Sequence, residues 1–440
     1  MTAKQQTMTF YPRLVHGRFN YWRVGMVLLT QLFFFVMPWV NWQGRQAIWF
    51  DIEHSRLLIG PWVFWPQDFI YLAALLMACA FALFLWTTIV GRVWCGYSCP
   101  QTVYSQIMLW IERLCEGDHV ARRKLAQQPW HLEKILRKSA RYGLAIAFCL
   151  WTGFTFVAWF SPARTLGTQL LTLDMGYWEA FWLLSYAVFT FVLADRLREA
   201  VCKHMCPYAR FQGVMFDRHT WVVAYDTPRG EPRRGQDGAK GDCVDCGICV
   251  QVCPTGIDIR NGLQYECTSC AACIDACDQV MEKIHKPRGL IRYAPADAEK
   301  MPLWRFKTVL YSAGLLLVIA AMGWGLANHI PFKMDVLRDR QQLVRQTSEG
   351  EWQNDYVLRL SNGREQPVQF QLEARGLPQL TLPAQPYLVT VPPLSRTELS
   401  LSLTLPMDEA VTAGGHEIEW VLTESQTGQQ RIEHSRFFTD

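Results

Sequence analysis

From Phe69 to Val90 the chain runs for 22 residues without one charged side chain. A helix needs about 20 predominantly apolar residues to cross a bilayer, and a buried helix of a soluble core rarely stays uncharged for so long. Four more runs reach or approach that length, at 24–42, 142–160, 178–194 and 308–327. Lipid offers no partners to backbone amides, so each run is expected to be helical. The run at 178–194 is short and has Glu179 at its edge. Trp and Tyr stand at several run ends, as interfacial belts require. The reading is a multi-domain membrane protein built on an α-helical bundle of five spans.

Lys and Arg in the short connections set the orientation. The 91–141 connection carries Arg92, Arg113, Arg122, Arg123, Lys124, Lys134, Arg137, Lys138 and Arg141. By contrast, 43–68 has only Arg45 and Arg56, and 161–177 only Arg164. The first 23 residues hold Lys4, Arg13, Arg18 and Arg23 and no acid. The N-terminus is therefore expected inside, and five crossings leave the last segment outside. In a bacterium these sides are cytoplasm and periplasm, and the membrane is the inner one. The first run lacks a small-residue cleavage site, so it reads as an uncleaved anchor.

Fifteen cysteines are unevenly placed: eight crowd into 243–277, and none follows Cys277. A secreted disulfide framework would spread them through the external part, so the thiols point to metal in a reducing compartment. CVDCGICVQVCP (243–254) has the spacing C-x-x-C-x-x-C-x-x-x-C-P, and CTSCAACIDAC (267–277) repeats it with Asp278 in place of the proline. In two-cluster ferredoxins three close thiolates hold one cubane and the fourth ligand comes from the other motif. Cys243, Cys246, Cys249 and Cys277 are accordingly expected to hold one [4Fe–4S] cluster. Cys267, Cys270, Cys273 and Cys253 are expected to hold the other. Gly247 and the pair Ala271 and Ala272 keep the loops small near the sulfides. Structural zinc also uses C-x-x-C pairs, but two consecutive four-cysteine motifs argue against it.

A second cysteine motif occurs twice, in WCGYSCPQ (94–101) and VCKHMCPY (201–208). Each copy is C-x-x-x-C-P and each follows an even-numbered span. Both copies therefore emerge on the cytoplasmic face, where Cys95, Cys99, Cys202 and Cys206 can converge. Two local geometries are open. Either the cysteines sit at i and i+4 on one helix face, or Pro100 and Pro207 open helices and leave the thiols near a helix N-terminus. The second copy adds His204 and Met205, and thiolate, thioether and imidazole together suit Cu(I). Copper and a third iron–sulfur cluster are rival occupants. Cys79, Cys115 and Cys149 read as packing residues. None of the ten histidines lies in a span, which confines the redox chemistry to the cytoplasmic face.

Beyond residue 328 the pattern changes to alternating runs such as YVLRL, VQFQLEA and EIEWVL, which read as half-buried strands of a β-sandwich. Asn362 and Gly363 between the first two are a hairpin signal. The domain reading is a cytoplasmic tail (1–23), a four-span domain with both C-x-x-x-C-P motifs (24–228), a ferredoxin domain (229–300), a fifth span (308–327) and an external all-β domain (328–440). The net charge of +4 brings no basic stripe interleaved with aromatics, so nucleic acid is not an expected partner.

FWPQDF (64–69), WCGYSCPQTVY (94–104), CKHMCPYARFQ (202–212) and the block from GDCVDCG to CIDAC resemble the FixG/RdxA/CcoG family of membrane polyferredoxins, the cytochrome c oxidase accessory proteins. The resemblance covers nearly the whole chain. It implies a two-[4Fe–4S] ferredoxin-like domain, an immunoglobulin-like periplasmic domain and a role in maturing cbb3-type oxidase. It further implies a cupric reductase that turns Cu(II) into Cu(I) for copper chaperones or oxidase assembly factors. The electron donor is an unidentified cytoplasmic one, and self-association as a homo-oligomer is left open. Two alternatives remain at this point: a quinol-linked ferredoxin subunit feeding a periplasmic reductase, and a non-redox assembly scaffold.

Overall fold

The computed structural model describes residues 12–233, 241–296, 302, 304–339, 343–348, 350–384, 386–407 and 412–440. Residues 1–11 of the N-terminal tail, with Lys4, lie outside the described residues, as do 234–240 and 297–300 of the 229–300 segment. The chain divides into two compact units, one formed by 1–50 and 70–322, the other by 51–69 and 323–440.

In chain order the main helices are α1 (Arg18–Val36), α2 (Phe69–Val90), α3 (Pro100–Glu116), α4 (Leu132–Ala158), α5 (Tyr177–Phe191), α6 (Pro207–Met215), α7 (Ala272–Lys283) and α8 (Phe306–Ala327). Among the described residues α1, α2, α4, α5 and α8 are long and apolar enough to cross a membrane, with their end turns counted. The α2 and α8 windows are each only 6% buried within the protein, against 44% for α4. Leu72, Leu75, Leu316 and Leu317 stand exposed on these helices, the surface a bilayer would cover. α4 is the central helix, packed on α3 and α5. Its approach to α5 needs a small residue, because a Cβ on Gly153 would lie 2.3 Å from the Leu183 carbonyl oxygen.

A buried charge network ties the short connections to these helices. Glu112 on α3 accepts from Arg141 at 2.7 Å and also from Arg122 and Arg198. Burial by itself raises the Glu112 pKa, but Arg198, Arg122 and Arg141 outweigh it and hold the carboxyl below its ordinary range. The dense basic residues of 91–141 therefore do more than meet a membrane surface: three guanidiniums, two from this connection, share one buried acid.

The ferredoxin segment is framed by a two-stranded antiparallel ribbon, β1 (Trp221–Tyr225) against β2 (Ile291–Pro295). It is also tied to α1. The Asp275 carboxylate on α7 accepts from the backbone amides of Phe19 at 3.2 Å and Asn20 at 2.8 Å. A helix N-terminus presents unpaired N–H groups and partial positive charge, so Asp275 caps the first span from the neighbouring segment. Gly17 is required there, since a Cβ would lie 2.3 Å from the Asp275 carboxyl carbon.

In the second unit β3 (Phe332–Arg338), β4 (Glu351–Asn362), β5 (Val368–Arg375), β6 (Tyr387–Val391), β7 (Arg396–Pro406), β8 (Gly414–Glu424) and β9 (Gln430–Thr439) make two antiparallel sheets. One has the order β7-β4-β3, with the short strand at Arg345–Gln346 also on β4, and the other β6-β5-β8-β9. Every second residue along β4 from Asn354 to Leu360 is buried, the period-2 alternation of one core face. Trp420, Tyr356, Phe370, Phe332 and Phe437 fill the space between the sheets, each at most 2% exposed. Asn362 and Gly363 correct the hairpin expectation, because β4 does not pair with β5. Neither residue takes the left-handed backbone of a two-residue hairpin turn. Asn362 is fully buried, and its amide donates to the carbonyls of Gln366, Val391 and Pro392 at 2.9–3.2 Å, fixing the crossing between sheets. FWPQDF belongs to this unit up to Phe69: Asp68 takes the Trp65 amide at 3.0 Å and pairs with Lys333.

Candidate functional site

The two C-x-x-x-C-P copies fold alike. In the first, the Cys99 amide donates to the Trp94 carbonyl at 3.0 Å; in the second, the Cys206 amide donates to the Val201 carbonyl at 2.8 Å. Each is a five-residue closure from the second cysteine to the residue before the first. Both second cysteines are extended N-caps, with φ, ψ of −60°, 130° at Cys99 and −77°, 112° at Cys206. Pro100 and Pro207 then open α3 and α6, where a missing N–H costs nothing. Of the two geometries open from sequence, the proline-initiated one is present. The second copy reaches its turn through two π-helical stretches, Val192–Leu197 and Val201–Met205, with Arg198 at φ 41° between them.

The four thiols lie within electrostatic reach of one another. Burial pushes Cys95 up to about 12, and the charges of Cys99 and Cys202 add to it while Arg92 opposes. Burial likewise pushes Cys202 up to about 11, with Cys99 and Cys206 adding to it. His204 and Met205 lie on the exposed side of the turn, Met205 at 57% exposure, and are not gathered with the thiols. Cys149 is buried in the packing between α3, α4 and α5, whereas Cys79 is exposed on α2 and Cys115 half-buried on α3.

The ferredoxin cysteines sort into two further groups. Cys243, Cys246, Cys249 and Cys277 line one small cavity. Burial pushes Cys277 up to about 12, followed by the charges of Cys249, Asp278, Cys243 and Cys246. Cys273 is raised well above a thiol's ordinary value by burial, then by Cys270, Cys267 and Cys253. Cys277, the last cysteine of the second motif, thus lines the same cavity as the first three of the first motif, and Cys253 lies within electrostatic reach of Cys267, Cys270 and Cys273, as does Cys249 of Cys273. The motifs also repeat their backbone: Asp245 and Gly247 in the first, Ser269 and Ala271 in the second, have φ of 49°, 64°, 54° and 58°.

These donor sets suit iron–sulfur clusters. Buried thiols that raise one another stay protonated near neutral pH, and become thiolates only against a compensating cationic centre. Among the described residues, no three His, Cys, Asp or Glu side chains are grouped as ligands of a single metal ion.

Two residues join the C-x-x-x-C-P site to the second ferredoxin group. Gly96, between Cys95 and Tyr97, packs directly on the 268–270 backbone: a Cβ there would lie 2.8 Å from both the Cys270 Cα and the Thr268 carbonyl oxygen. Arg92, 3% exposed, donates from Nε to Gln212 Oε1 at 3.0 Å and from Nη1 to the Tyr265 carbonyl. The Cys95 thiol donates to the same Gln212 oxygen at 3.4 Å. Arg92 lowers the pKa of Cys95, Cys99 and Cys202, and also that of Cys267. Sequence reading counted Arg92 only as a membrane-facing charge and gave Gly96 and Gln212 no role. Gly96 and Gln212 stand inside the quoted motifs, which was the available signal; Arg92 stands just outside them.

Comparison with known proteins agrees with this layout. A 4Fe-4S binding domain family matches residues 72–117, and a 4Fe-4S dicluster domain family matches 197–296. An "IG-like fold at C-terminal of FixG" matches 322–440. The chain is 34% identical to protein RdxB of Cereibacter sphaeroides, covering 91% of this chain and 87% of RdxB. It is 36% identical to RdxA of the same organism, over 83% and 82% of the two chains. It is 33% identical to the nitrogen fixation protein FixG of Rhizobium meliloti, over 84% and 80%.

Proposed function

The chain belongs to the FixG family of membrane iron–sulfur electron-transfer proteins, and from that premise we propose that it reduces Cu(II) to Cu(I) at the cytoplasmic face of the bacterial inner membrane. The Cu(I) serves copper chaperones or the assembly factors of a cbb3-type oxidase, and the β-sandwich is periplasmic. The observation that carries this reading is contiguity: the C-x-x-x-C-P site lies backbone to backbone against the second ferredoxin group through Gly96.

Cys243, Cys246, Cys249 and Cys277 hold one cluster, and Cys267, Cys270, Cys273 and Cys253 a second. The four thiols of Cys95, Cys99, Cys202 and Cys206 hold a third in preference to resident copper. Two things favour this: a 4Fe-4S family spans the first pair, and the imidazole of His204 and the thioether of Met205 face outward instead of completing a mixed copper set. Iron–sulfur clusters supply one-electron carriers when bound. The chain's own residues pack the C-x-x-x-C-P site on the second ferredoxin group, bury Cys95 and Cys270 from water and place Arg92 between those two sets. Copper is substrate in this reading, and exposed His204 and Met205 offer it imidazole and thioether beside Cys202 and Cys206.

An anaerobic titration tests the proposal. Full-length protein is chemically reduced, Cu(II) is added stepwise, and cluster absorbance is followed together with Cu(I) captured by a Cu(I)-selective chromophore. One Cu(I) per electron lost is expected, with slower reaction at limiting Cu(II) in His204→Ala/Met205→Ala. Reduced clusters left untouched by Cu(II) would sink the copper reading.

A further inference from the structure

A cavity of about 80 Å³ lies between the C-x-x-x-C-P site and the second ferredoxin group, with Cys202 and Cys270 both in its wall. That is several times the roughly 10–15 Å³ one water needs on the same measure. Much of the remaining wall is apolar, with Val15, Leu109, Val252 and Ala272 among its residues.

Its polar groups define what it takes. The Gln101 amide is already committed to the Leu193 and Arg198 carbonyls at 2.7 and 3.1 Å, and the Thr102 hydroxyl to the Cys95 carbonyl at 2.5 Å. Two buried side-chain donors of this lining lack a partner. Gln106, 6% exposed, has no partner for Nε2, and Arg23, 4% exposed, has none for Nε, although its Nη2 donates to Asn20 at 2.9 Å. A buried donor without a partner costs about 1–3 kcal/mol, so two lining one cavity mark a place where a ligand brings acceptors. The ligand's body must be apolar to match the walls, and a metal cation is disfavoured because Arg13, Arg23 and Arg198 outnumber Glu199 among the charged groups of the lining. Arg23 lies in the first turns of α1, and Cys202 follows α5, so the cavity sits where two spans leave the bilayer.

We propose that this cavity binds the head group of a membrane quinone, its ring against the apolar wall and its carbonyl or hydroxyl oxygens accepting from Gln106 Nε2 and Arg23 Nε. This rests on the reading of the chain as an electron carrier, and it places a membrane redox partner beside the thiols of Cys202 and Cys270.

The test is binding of a short-tailed ubiquinone to full-length protein in phosphatidylcholine nanodiscs, read by quenching of tryptophan fluorescence. Saturable quenching is expected, about tenfold weaker in Gln106→Leu, the value of one lost hydrogen bond. Gln106→Glu keeps the side chain's size, replaces the amide N–H donors with oxygen and is expected to weaken binding likewise. Iron content and Cu(II) reduction by chemically reduced protein are measured on the same samples and are expected to be unchanged in both variants. Equal affinity in wild type and both variants overturns the site, as does loss of quinone binding when phosphatidylglycerol is added, which would make it a pocket for anionic lipid. If quinone binds as expected but reduced protein leaves Cu(II) alone, the copper reading fails and the quinone site stands.

Discussion

Gly96→Ala is the sharpest probe of how the C-x-x-x-C-P site meets the ferredoxin segment. Gly96 sits in the short helix Val93–Tyr97, and its φ is not in the left-handed region, so alanine adopts the backbone without strain. By helix propensity alone the change would stabilise by up to about 1 kcal/mol. The added methyl, however, would stand 2.8, 2.8 and 3.0 Å from the Cys270 Cα, the Thr268 oxygen and the Cys270 amide nitrogen. All three are backbone atoms of a cysteine loop, and ordinary contact begins near 3.4 Å. The two segments must part, and overpacking of this kind costs about 1–3 kcal/mol. Since no flexible side chain can move away, the upper half applies, and the net loss is about 1–2 kcal/mol. The assay is thermal unfolding of the cluster-loaded protein, with electron paramagnetic resonance of the reduced state to register any loss of magnetic interaction between sites. Gly143→Ala is the control: it is exposed on α4, and a Cβ there meets nothing within 4 Å. If Gly96→Ala unfolds no earlier than Gly143→Ala and its spectrum is unaltered, the claimed contact is wrong.

Other expectations follow from the same contacts. Glu112→Gln leaves Arg122, Arg141 and Arg198 without their shared carboxylate, and breaking such a buried pair costs about 3–5 kcal/mol, measurable by denaturant or thermal unfolding. Because the folded Glu112 pKa lies below its ordinary 4.5, its stabilisation is present above pH 4.5 and lost as pH falls through the lower folded value. A Glu112→Gln variant should therefore lose less stability than wild type over that acid range. Asp275→Ala removes the cap on α1 and should cost about 1–2 kcal/mol, seen as earlier release of the first span in hydrogen exchange. Arg92→Gln withdraws a buried cation from beside Cys95, Cys99 and Cys202. The reduced, more negative centre is then disfavoured, and a redox titration should show a potential lower by about 60 mV or more.

What the sequence made legible was whatever repeats locally. An uncharged run from Phe69 to Val90 can hardly be read except as a span, and the helix has those bounds. Cysteines two and three residues apart announce clusters, and Cys277 lines one small cavity together with Cys243, Cys246 and Cys249. Alternation in YVLRL and EIEWVL marked strands of the sandwich, but not which strands pair. Asn362 and Gly363 look like a turn because the dipeptide often is one; here the Asn362 amide donates to the nearby Gln366 carbonyl and also to those of Val391 and Pro392, about thirty residues on, and the two distant bonds are ones no local pattern encodes. The same holds for Arg92, Gly96 and Asp275. Each acts on residues more than a hundred positions away, and the sequence around it, even where it is a motif, does not say which.

Iron and acid-labile sulfide per chain tests the central claim, that three thiol sets form one electron-carrying unit. Wild-type protein should hold about 12 iron atoms, one cubane per four-thiol set. Cys95→Ser/Cys206→Ser should hold about 8, with the spectrum of the two ferredoxin clusters intact. About 8 in both proteins would contradict the account, leaving Cys95, Cys99, Cys202 and Cys206 with another role.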